Sequence, residues 1–361
     1  MKISIIFPCR NEYESVGMCV KNAFETLKQN HLNGEVIVSD SSSDGSAEEA
    51  EKYGANVVRH NKEGYGLAIT EGIRASSGDI IVYLDADGTY DVRELPKFLK
   101  LLESSDIVIG SRFKGHIEKG AMPFSHKIFG TPFINFLLFI FFGIRVSDSQ
   151  SGYRAFTKKT FKELNLKTNG MEFATEMIIK AKHLHLKITE VPITYSVRRG
   201  TSKLRRYHDG ITHLRYIFLQ IPFFWYAATG SILFIIGITS LILPLISPNF
   251  PHFLSYATVR LFFPIIGFEI FFLGIFTKTF LWIKFQEKNN FAAKFHSVFK
   301  FKTSIIIGLF LILLPIILRF TGLAQQLFDL LFVSTIFGFL LIINLFILSV
   351  INTNQSPPLS N

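Results

Sequence analysis

Cysteine is nearly missing from this chain: Cys9 and Cys19 are the only two in 361 residues. A disulfide scaffold needs more of them, and no Cys/His ligand spacing surrounds the pair, which argues against a structural zinc site as well. Charge is the second scarcity. Asp, Glu, Lys and Arg make up 18% of the residues, against about 25% in an average soluble protein. The shortage is concentrated at one end. Residues 221–361 hold 8 Lys/Arg and 3 Asp/Glu, whereas residues 1–220 hold 30 and 25. So few charges cannot coat a second water-soluble domain. The high apolar content, 48%, also excludes a disordered chain or a collagen-like fibre. The opening, MKISIIFPCRNE, has an apolar run of only five residues, interrupted by Pro8 and followed by charge. It does not read as a signal peptide, so the N-terminal domain is expected to stay in the cytoplasm. Internal repeats and low-complexity tracts are lacking too.

What the C-terminal part does have is apolar length. Four stretches, about 224–246, 259–283, 304–320 and 327–350, approach or exceed the roughly 20 helical residues that span a hydrocarbon core. The loop between the second and third carries Lys284, Lys288, Lys294, Lys300 and Lys302; the first loop has no Lys or Arg, and the third only Arg319 at its edge. The positive-inside rule therefore puts the second loop, the N-terminal domain and the C-terminus in the cytoplasm. Glu269 and Lys278 lie within the second span, where charge is expensive; the reading favours Lys278 snorkelling and Glu269 facing neighbouring helices. Residues 352–361 read as a loose tail.

In residues 1–220, short apolar runs alternate with amphipathic ones. Strands are expected at 3–7, 35–39, 56–60, 79–85 and 106–111, with helices at 12–29, 47–53, 66–75 and 92–102. This is βαβ alternation, hence an α/β domain with a mostly parallel sheet covered by helices on both faces. Ligands of such sheets bind beyond the carboxyl ends of the strands. Polar residues gather there, at 8–12, 39–46 and 85–91. A further apolar segment, 128–144, is interrupted by Gly130 and Pro132 and flanked by His126, Lys127 and Arg145. A surface-lying or re-entrant helix over about 123–144 fits better than a fifth span, because chemistry-bearing motifs lie on both sides of it. A second amphipathic helix, about 208–220, leads into the first span.

Asp85-Ala86-Asp87 closes the run IIVYLD. Alternate carboxylates at a strand end can converge on one hard cation, Mg²⁺ or Mn²⁺. Alone, an Asp-x-Asp is a common solvated turn; its place after the fourth strand is what lifts it. Asp40 and Asp44 flank SSSDGS after the second strand. Asp40 is read as a ligand for a base or ribose, and Asp44 as a helix cap. Gly64-Tyr65-Gly66 lets backbone approach a ligand closely, but matches neither common phosphate-loop pattern. Arg112, Arg154, Arg198, Arg199, Lys203, Arg205 and Arg206 are cations suited to phosphate, although any single one is more often a solvated charge.

Taken together, PCRNE (8–12), VSDSSSDGS (38–46), GYGLAITEG (64–72), LDADGTYD (84–91), GSRF (110–113), DSQSGYRAF (148–156) and RRGTSKL (198–204) resemble, in order, the motifs of inverting family-2 glycosyltransferases of the dolichyl-phosphate mannose synthase and polyprenyl-phosphate glycosyltransferase branch. The resemblance covers about residues 1–220. It implies a GT-A-like (Rossmann-like) cytoplasmic domain at 1–220, followed by an all-α four-helix transmembrane domain at 221–351. It implies that Pro8, Arg10, Glu12, Asp40, Gly66 and Ala86 surround the nucleotide sugar, together with Arg112, Arg198 and Lys203. Asp85 and Asp87 would form the metal and diphosphate site for Mg²⁺ or Mn²⁺, and Asp148 would sit near the sugar. Arg112, Lys127, Arg199 and Ser202 would meet the acceptor phosphate. Three positions depart from the pattern: Ser39 replaces a frequent second Asp, Arg10 a frequent Tyr, and Thr89 a metal-coordinating Gln of the mannose synthases. Gln-x-x-Arg-Trp, the mark of processive polymer synthases, is missing. The expected reaction is transfer of a hexose from a UDP- or GDP-linked donor to a polyprenyl or dolichyl phosphate at an integral membrane protein of the cell membrane. Its partners are the donor, the acceptor lipid and the bilayer, with no nucleic acid; a homo-oligomer stays open. Two other readings stay open: transfer to a hydroxyl of a glycolipid or protein, and a lipid-linked-sugar flippase module fused to the transferase.

Overall fold

A computed structural model describes residues 1–201, 206–246, 258–285, 295, 301–319 and 328–353. The chain divides into two compact units, Met1–Phe218 and Leu219–Asn361. The first is built on a seven-stranded sheet in the order β3-β2-β1-β4-β6-β5-β7. Its strands are β1 (Ile3–Cys9), β2 (Gly34–Asp40), β3 (Asn56–Arg59), β4 (Ile80–Tyr83), β5 (Ile107–Ile117), β6 (Arg154–Thr157) and β7 (Ile188–Tyr195). β1 to β4 are mutually parallel where they pair, β5 pairs parallel with β7, and β6 runs antiparallel between β4 and β5. The sheet is thus mostly parallel, with one inverted strand.

Both faces are covered, which is why β1, apart from Ser4, and β4 read as continuous apolar runs rather than alternating ones. Ile3, Ile5 and Phe7 pack on one side with Val16, Val20 and Ala23 of α1 (Tyr13–Gln29), beneath α2 (Ser46–Lys52) and α4 (Leu95–Leu102). Ile6 and Ile37 pack on the other with Ile69 and Ile73 of α3 (Tyr65–Ala75) and with Phe173, Met177 and Ile178 of α7 (Phe173–His183). The free thiols of Cys9 and Cys19 are both buried in the first of these layers. β5 extends past its expected end, with a register shift between Ser111 and His116; Gly115 lies against the Ile193 backbone, where no Cβ fits.

The helix expected over about 123–144 is present, and Gly130 and Pro132 do not interrupt it. A π-turn, His126–Gly130, runs directly into α5 (Thr131–Phe142), and Pro132 sits in the first turn, where its missing N–H costs nothing. Ile134, Leu137 and Leu138 face the core, while Phe124, Ile128, Phe129, Phe133, Phe136, Phe139 and Ile140 are exposed. After β6 come α6 (Lys158–Leu164), α7 and, beyond β7, α8 (Arg206–Gln220), whose Tyr216 and Ile217 join the second core layer.

The second unit contains α9 (Phe223–Ile246), α10 (Phe263–Phe285), α11 (Phe301–Arg319) and α12 (Phe328–Thr353). Among the described residues, three helical stretches are long and apolar enough to cross a membrane: Phe223–Leu243, Val259–Ile283 and Phe328–Leu348. The third of the four expected spans is helical, but its described apolar stretch, Ile305–Leu318, is shorter than a span. Small residues bring backbones close: a Cβ on Gly230 would lie 2.7 Å from Gly267 O, and one on Gly308 2.8 Å from Gly338 O. Asn344 Nδ2 donates to Glu269 Oε1 at 2.8 Å, so the Glu269 carboxyl does face a neighbouring helix. Most of the expected tail, 354–361, lies outside the described residues.

Candidate active site

The polar residues converge at the carboxyl ends of β1, β2 and β4. Parallel register sets Pro8 beside Ser39 and Cys9 beside Asp40. Past Cys9 the chain turns at Asn11, whose φ of 56° is left-handed, a conformation that Asn tolerates. That turn is stitched to the serine loop. Asn11 N donates to Ser42 Oγ at 2.7 Å, Ser43 N to Asn11 Oδ1 at 2.8 Å, and Glu12 N to Ser46 Oγ at 2.9 Å. Asp44 accepts from Ser46 N at 3.1 Å and from Tyr13 N at 3.2 Å, so it tethers the starts of both α2 and α1. Burial would raise its carboxyl, but the Ser46 and backbone donors outweigh that and lower it. Asp40, 4% exposed, accepts from Ser42 Oγ at 2.5 Å and Ser42 N at 3.0 Å. It lines a hollow of about 530 Å³ with Ser41, Ser43, Gly45, Arg59 and His60.

The Asp85–Thr89 loop follows β4. Tyr65 Oη donates to Asp85 Oδ1 at 2.8 Å, and Gly152 lies so close that a Cβ there would sit 2.6 Å from Asp85 Oδ2. Burial, and then the neighbouring Asp87 charge, raises the Asp85 carboxyl well above the ordinary range, against the pull of Tyr65, Arg198 and Arg112. Asp87 Oδ1 accepts from Thr89 N at 3.0 Å and Thr89 Oγ1 at 2.6 Å; Oδ2 accepts from Arg198 Nη1 at 2.8 Å. The second Arg198 amino group, Nη2, donates to Glu12 Oε1. Ala86 O accepts from Ser15 Oγ at 2.8 Å and faces Cys19 Sγ at 3.5 Å, anchoring the loop on α1. The segment after β7 lies along it, through Ser196 N to Thr89 O at 2.9 Å and Arg199 N to Asp87 O at 3.1 Å.

A second cluster centres on Asp148, which is fully buried. Arg112 engages both of its oxygens, Nε to Oδ2 and Nη2 to Oδ1, each at 2.7 Å, and the Arg112 backbone N adds a third bond at 2.9 Å. The guanidinium lies 5.1 Å from the Tyr195 ring centroid, within cation–π range. Glu190 secures the loop beneath, accepting from Ser147 N, Ser147 Oγ and Asp148 N at 2.8–2.9 Å, while Lys114 Nζ pairs with its other oxygen at 2.9 Å.

The structure therefore joins Glu12, Asp87 and Arg198 in one network with Asp85 beside it, and joins Arg112 to Asp148 in another. Other expected site residues lie outside these two networks. Arg10 pairs with Glu63 at 2.5 Å on the exposed surface, and Lys127 is exposed in the π-turn. Gly66 permits close packing, but of protein: its Cβ would lie 2.6 Å from Phe173 Cβ. Arg154 is wholly buried and donates to the carbonyls of Ser149, Ser151 and Ala174, so it braces the 148–152 loop rather than facing a phosphate. Ser202 and Lys203, with Arg205, lie outside the described residues. Glu190 and Tyr195 were not singled out by sequence, whereas Tyr65 was noted only within its glycine turn and Thr89 only as a departure from a metal-coordinating Gln. Glu190 gave a signal, as the one acidic residue of the β7 segment.

The profile of the family described as Glycosyl transferase family 2 matches residues 4–164, which takes in β1 to β6 and both aspartates. Glycosyltransferase AglJ of Haloferax volcanii is 31% identical over 238 residues, 63% of this chain and 76% of that one. The chain belongs to glycosyl transferase family 2. Low-salt glycan biosynthesis hexosyltransferase Agl6 of the same organism is 37% identical over 243 residues, 67% of this chain and 59% of the relative. The dolichol-phosphate mannosyltransferase of Pyrococcus furiosus is 34% identical over 216 residues, 57% of this chain and 60% of the relative. The chain is thus similar to the last two over about three-fifths of their length.

Proposed function

We propose that this family-2 protein transfers a hexose from a nucleotide-diphosphate sugar, UDP- or GDP-linked, to a polyprenyl or dolichyl phosphate at the cytoplasmic face of the membrane. Residues 1–220 are the catalytic domain in this reading, 221–351 the membrane domain and 352–361 a tail. The similarity to a dolichol-phosphate mannosyltransferase supports the acceptor class. The observation that carries it is the locked pair of Arg112 and Asp148: it keeps a cation at the site and takes both oxygens of the Asp148 carboxylate, the acid expected beside the sugar, out of service as a base. A sugar-hydroxyl acceptor needs a base. A phosphate monoester does not, since its second pKa is about 6 and it is already an anion near neutral pH.

The residues divide the work accordingly. Asp40, Pro8, Glu12 and Arg10 surround the base and ribose. Arg112, Lys127, Arg199 and Ser202 hold the acceptor phosphate in line behind the anomeric carbon, which turns a bimolecular step into a positioned one. A single displacement inverts that carbon. Asp85 and Asp87 suit a hard divalent cation: both are carboxylates at one strand end, and the Asp85 carboxyl is raised first by burial and then by the neighbouring Asp87 charge, which a bound cation would offset. No group of three or more His, Cys, Asp or Glu side chains forms a ready cage among the described residues. That fits Mg²⁺ or Mn²⁺ held by one or two carboxylates with diphosphate oxygens completing the shell. Bound there, the ion supplies Lewis-acid neutralisation of the departing diphosphate. Asp148 orients Arg112, and the exposed apolar face of α5 rests in the bilayer where the lipid tail lies.

The test is incubation of the full chain in detergent with polyprenyl phosphate and separate UDP- and GDP-sugars, with Mn²⁺ or with EDTA. The expected product is labelled sugar in the organic phase, formed from one donor, blocked by EDTA and lost in Asp87→Ala with folding kept. Wild-type-like turnover in Asp87→Ala would remove the site assignment. A product on a hydroxyl acceptor would replace the lipid phosphate.

A further inference from the structure

Asp87 already has a cation against it. Arg198 spans two carboxylates, Asp87 Oδ2 through Nη1 and Glu12 Oε1 through Nη2, while the other Asp87 oxygen is taken by Thr89. The backbone bonds of Ser196 and Arg199 to the Asp85–Thr89 loop hold Arg198 in register with that position. Its Nε is buried and finds no hydrogen-bond partner among the described residues. The guanidinium thus satisfies two acids while one of its own donors goes unmet. An unmet buried donor next to a site for an anion is a group waiting for a second partner.

We propose that Arg198 is a positioning residue that serves as the internal counter-cation of the metal site, and that it exchanges partners when the donor arrives. A divalent ion approaching Asp87 alone meets the charge of Arg198 and must displace it at a cost. An ion arriving with a nucleoside diphosphate does not, because the displaced guanidinium finds the diphosphate oxygens, which its fork fits. The ion and the diphosphate therefore bind with positive linkage, and Arg198 is the residue that couples them. The inference rests on the reading of Asp87 as a metal ligand.

Mn²⁺ binding to the full chain in detergent, followed by the paramagnetic resonance signal of free Mn²⁺, separates the two. Removing a charge-assisted contact shifts an equilibrium by about tenfold or more. Arg198→Gln is expected to bind Mn²⁺ alone about tenfold more tightly than wild type, and UDP or GDP in the presence of Mn²⁺ about tenfold more weakly. Arg198→Lys should retain the weak Mn²⁺ binding of wild type. Unchanged or weaker binding of Mn²⁺ alone by Arg198→Gln overturns the inference. Should that variant melt below the assay temperature, Glu12→Gln, which removes one of the two anchors, must raise affinity for Mn²⁺ alone; no rise overturns the inference equally. If wild type binds no Mn²⁺ even with UDP or GDP present, the metal role of Asp87 fails and the coupling falls with it. Wild-type binding of Mn²⁺ with nucleotide, joined to an indifferent Arg198→Gln, sinks the coupling alone.

Discussion

Asp148 is the residue whose environment says most about its role. A carboxylate with no exposure and both oxygens on one guanidinium is spoken for, and a general base must be free to accept a proton. Removing one partner of a buried pair strands the other charge, which typically costs about 3–5 kcal/mol. Asp148→Asn should therefore lower the melting temperature clearly while leaving the shape of the pH–rate profile intact. Unchanged melting with a lost acidic limb would reinstate Asp148 as a base. Glu35 offers a second residue-scale test, far from the site. Burial would raise its carboxyl, yet donors from Ser4, Ser77 and Lys2 outweigh that and lower it to about 2. A carboxyl depressed on folding stabilises above its unfolded value, near 4.5, and that contribution is lost as pH falls towards 2. Wild type should lose stability between pH 5 and 3, and Glu35→Gln should start lower and lose less over that window, as thermal melts would show. The acids at the strand ends were legible in the sequence because a ligand-binding end of a parallel sheet is a place, and Asp40, Asp85 and Asp87 fall on it. The roles of Tyr65 and Glu190 were not, since each acts through a partner chosen by the fold: Tyr65 reaches Asp85 across 20 residues, and Glu190 reaches Asp148 across 42.

The elements of the parallel βα alternation were readable, the four-residue β3 and β4 included, and the inverted strand was not. α1 and the central strands fall within two residues of expectation because one face, or both, must be apolar along their whole length. β6 lies outside that alternation, and its antiparallel direction depends on a long connection through α5. The helix expected over about 123–144 tolerates Gly130 and Pro132 for a physical reason: Gly and Pro disrupt a helix interior, but Pro132 stands at the start of α5. The resulting element is apolar on two sides, one against the core and one outward. Replacing the outward Phe133 and Phe136 by Ser should leave melting within about 0.5 kcal/mol, as for exposed sites. It should weaken adherence of α5 to lipid, measured in proteoliposomes by brominated-acyl-chain quenching of a reporter, Phe129→Trp, with the two native tryptophans, Trp225 and Trp282, replaced by Phe. Unaltered quenching would assign that face to something other than lipid.

At the scale of the molecule, the charge-poor end and the charge-rich end coincide with two units of structure, Met1–Phe218 and Leu219–Asn361. The lysines between the second and third apolar stretches predict that position 290 lies in the cytoplasm and position 255 outside. The two native thiols bear on how this can be read. Burial, and then the Asp40 charge, pushes Cys9 upward; burial, and then Asp87, pushes Cys19 to about 12. Thiolate is the species that alkylating reagents capture and both sulfurs are buried, so neither is expected to take up a maleimide at neutral pH in the folded protein, as labelling of the wild type would check. The protein is in effect its own blank for chemical mapping. Asn290→Cys should take up an impermeant maleimide only after the vesicle is opened to its cytoplasmic face, and Ser255→Cys from the opposite side without any native cysteine being removed.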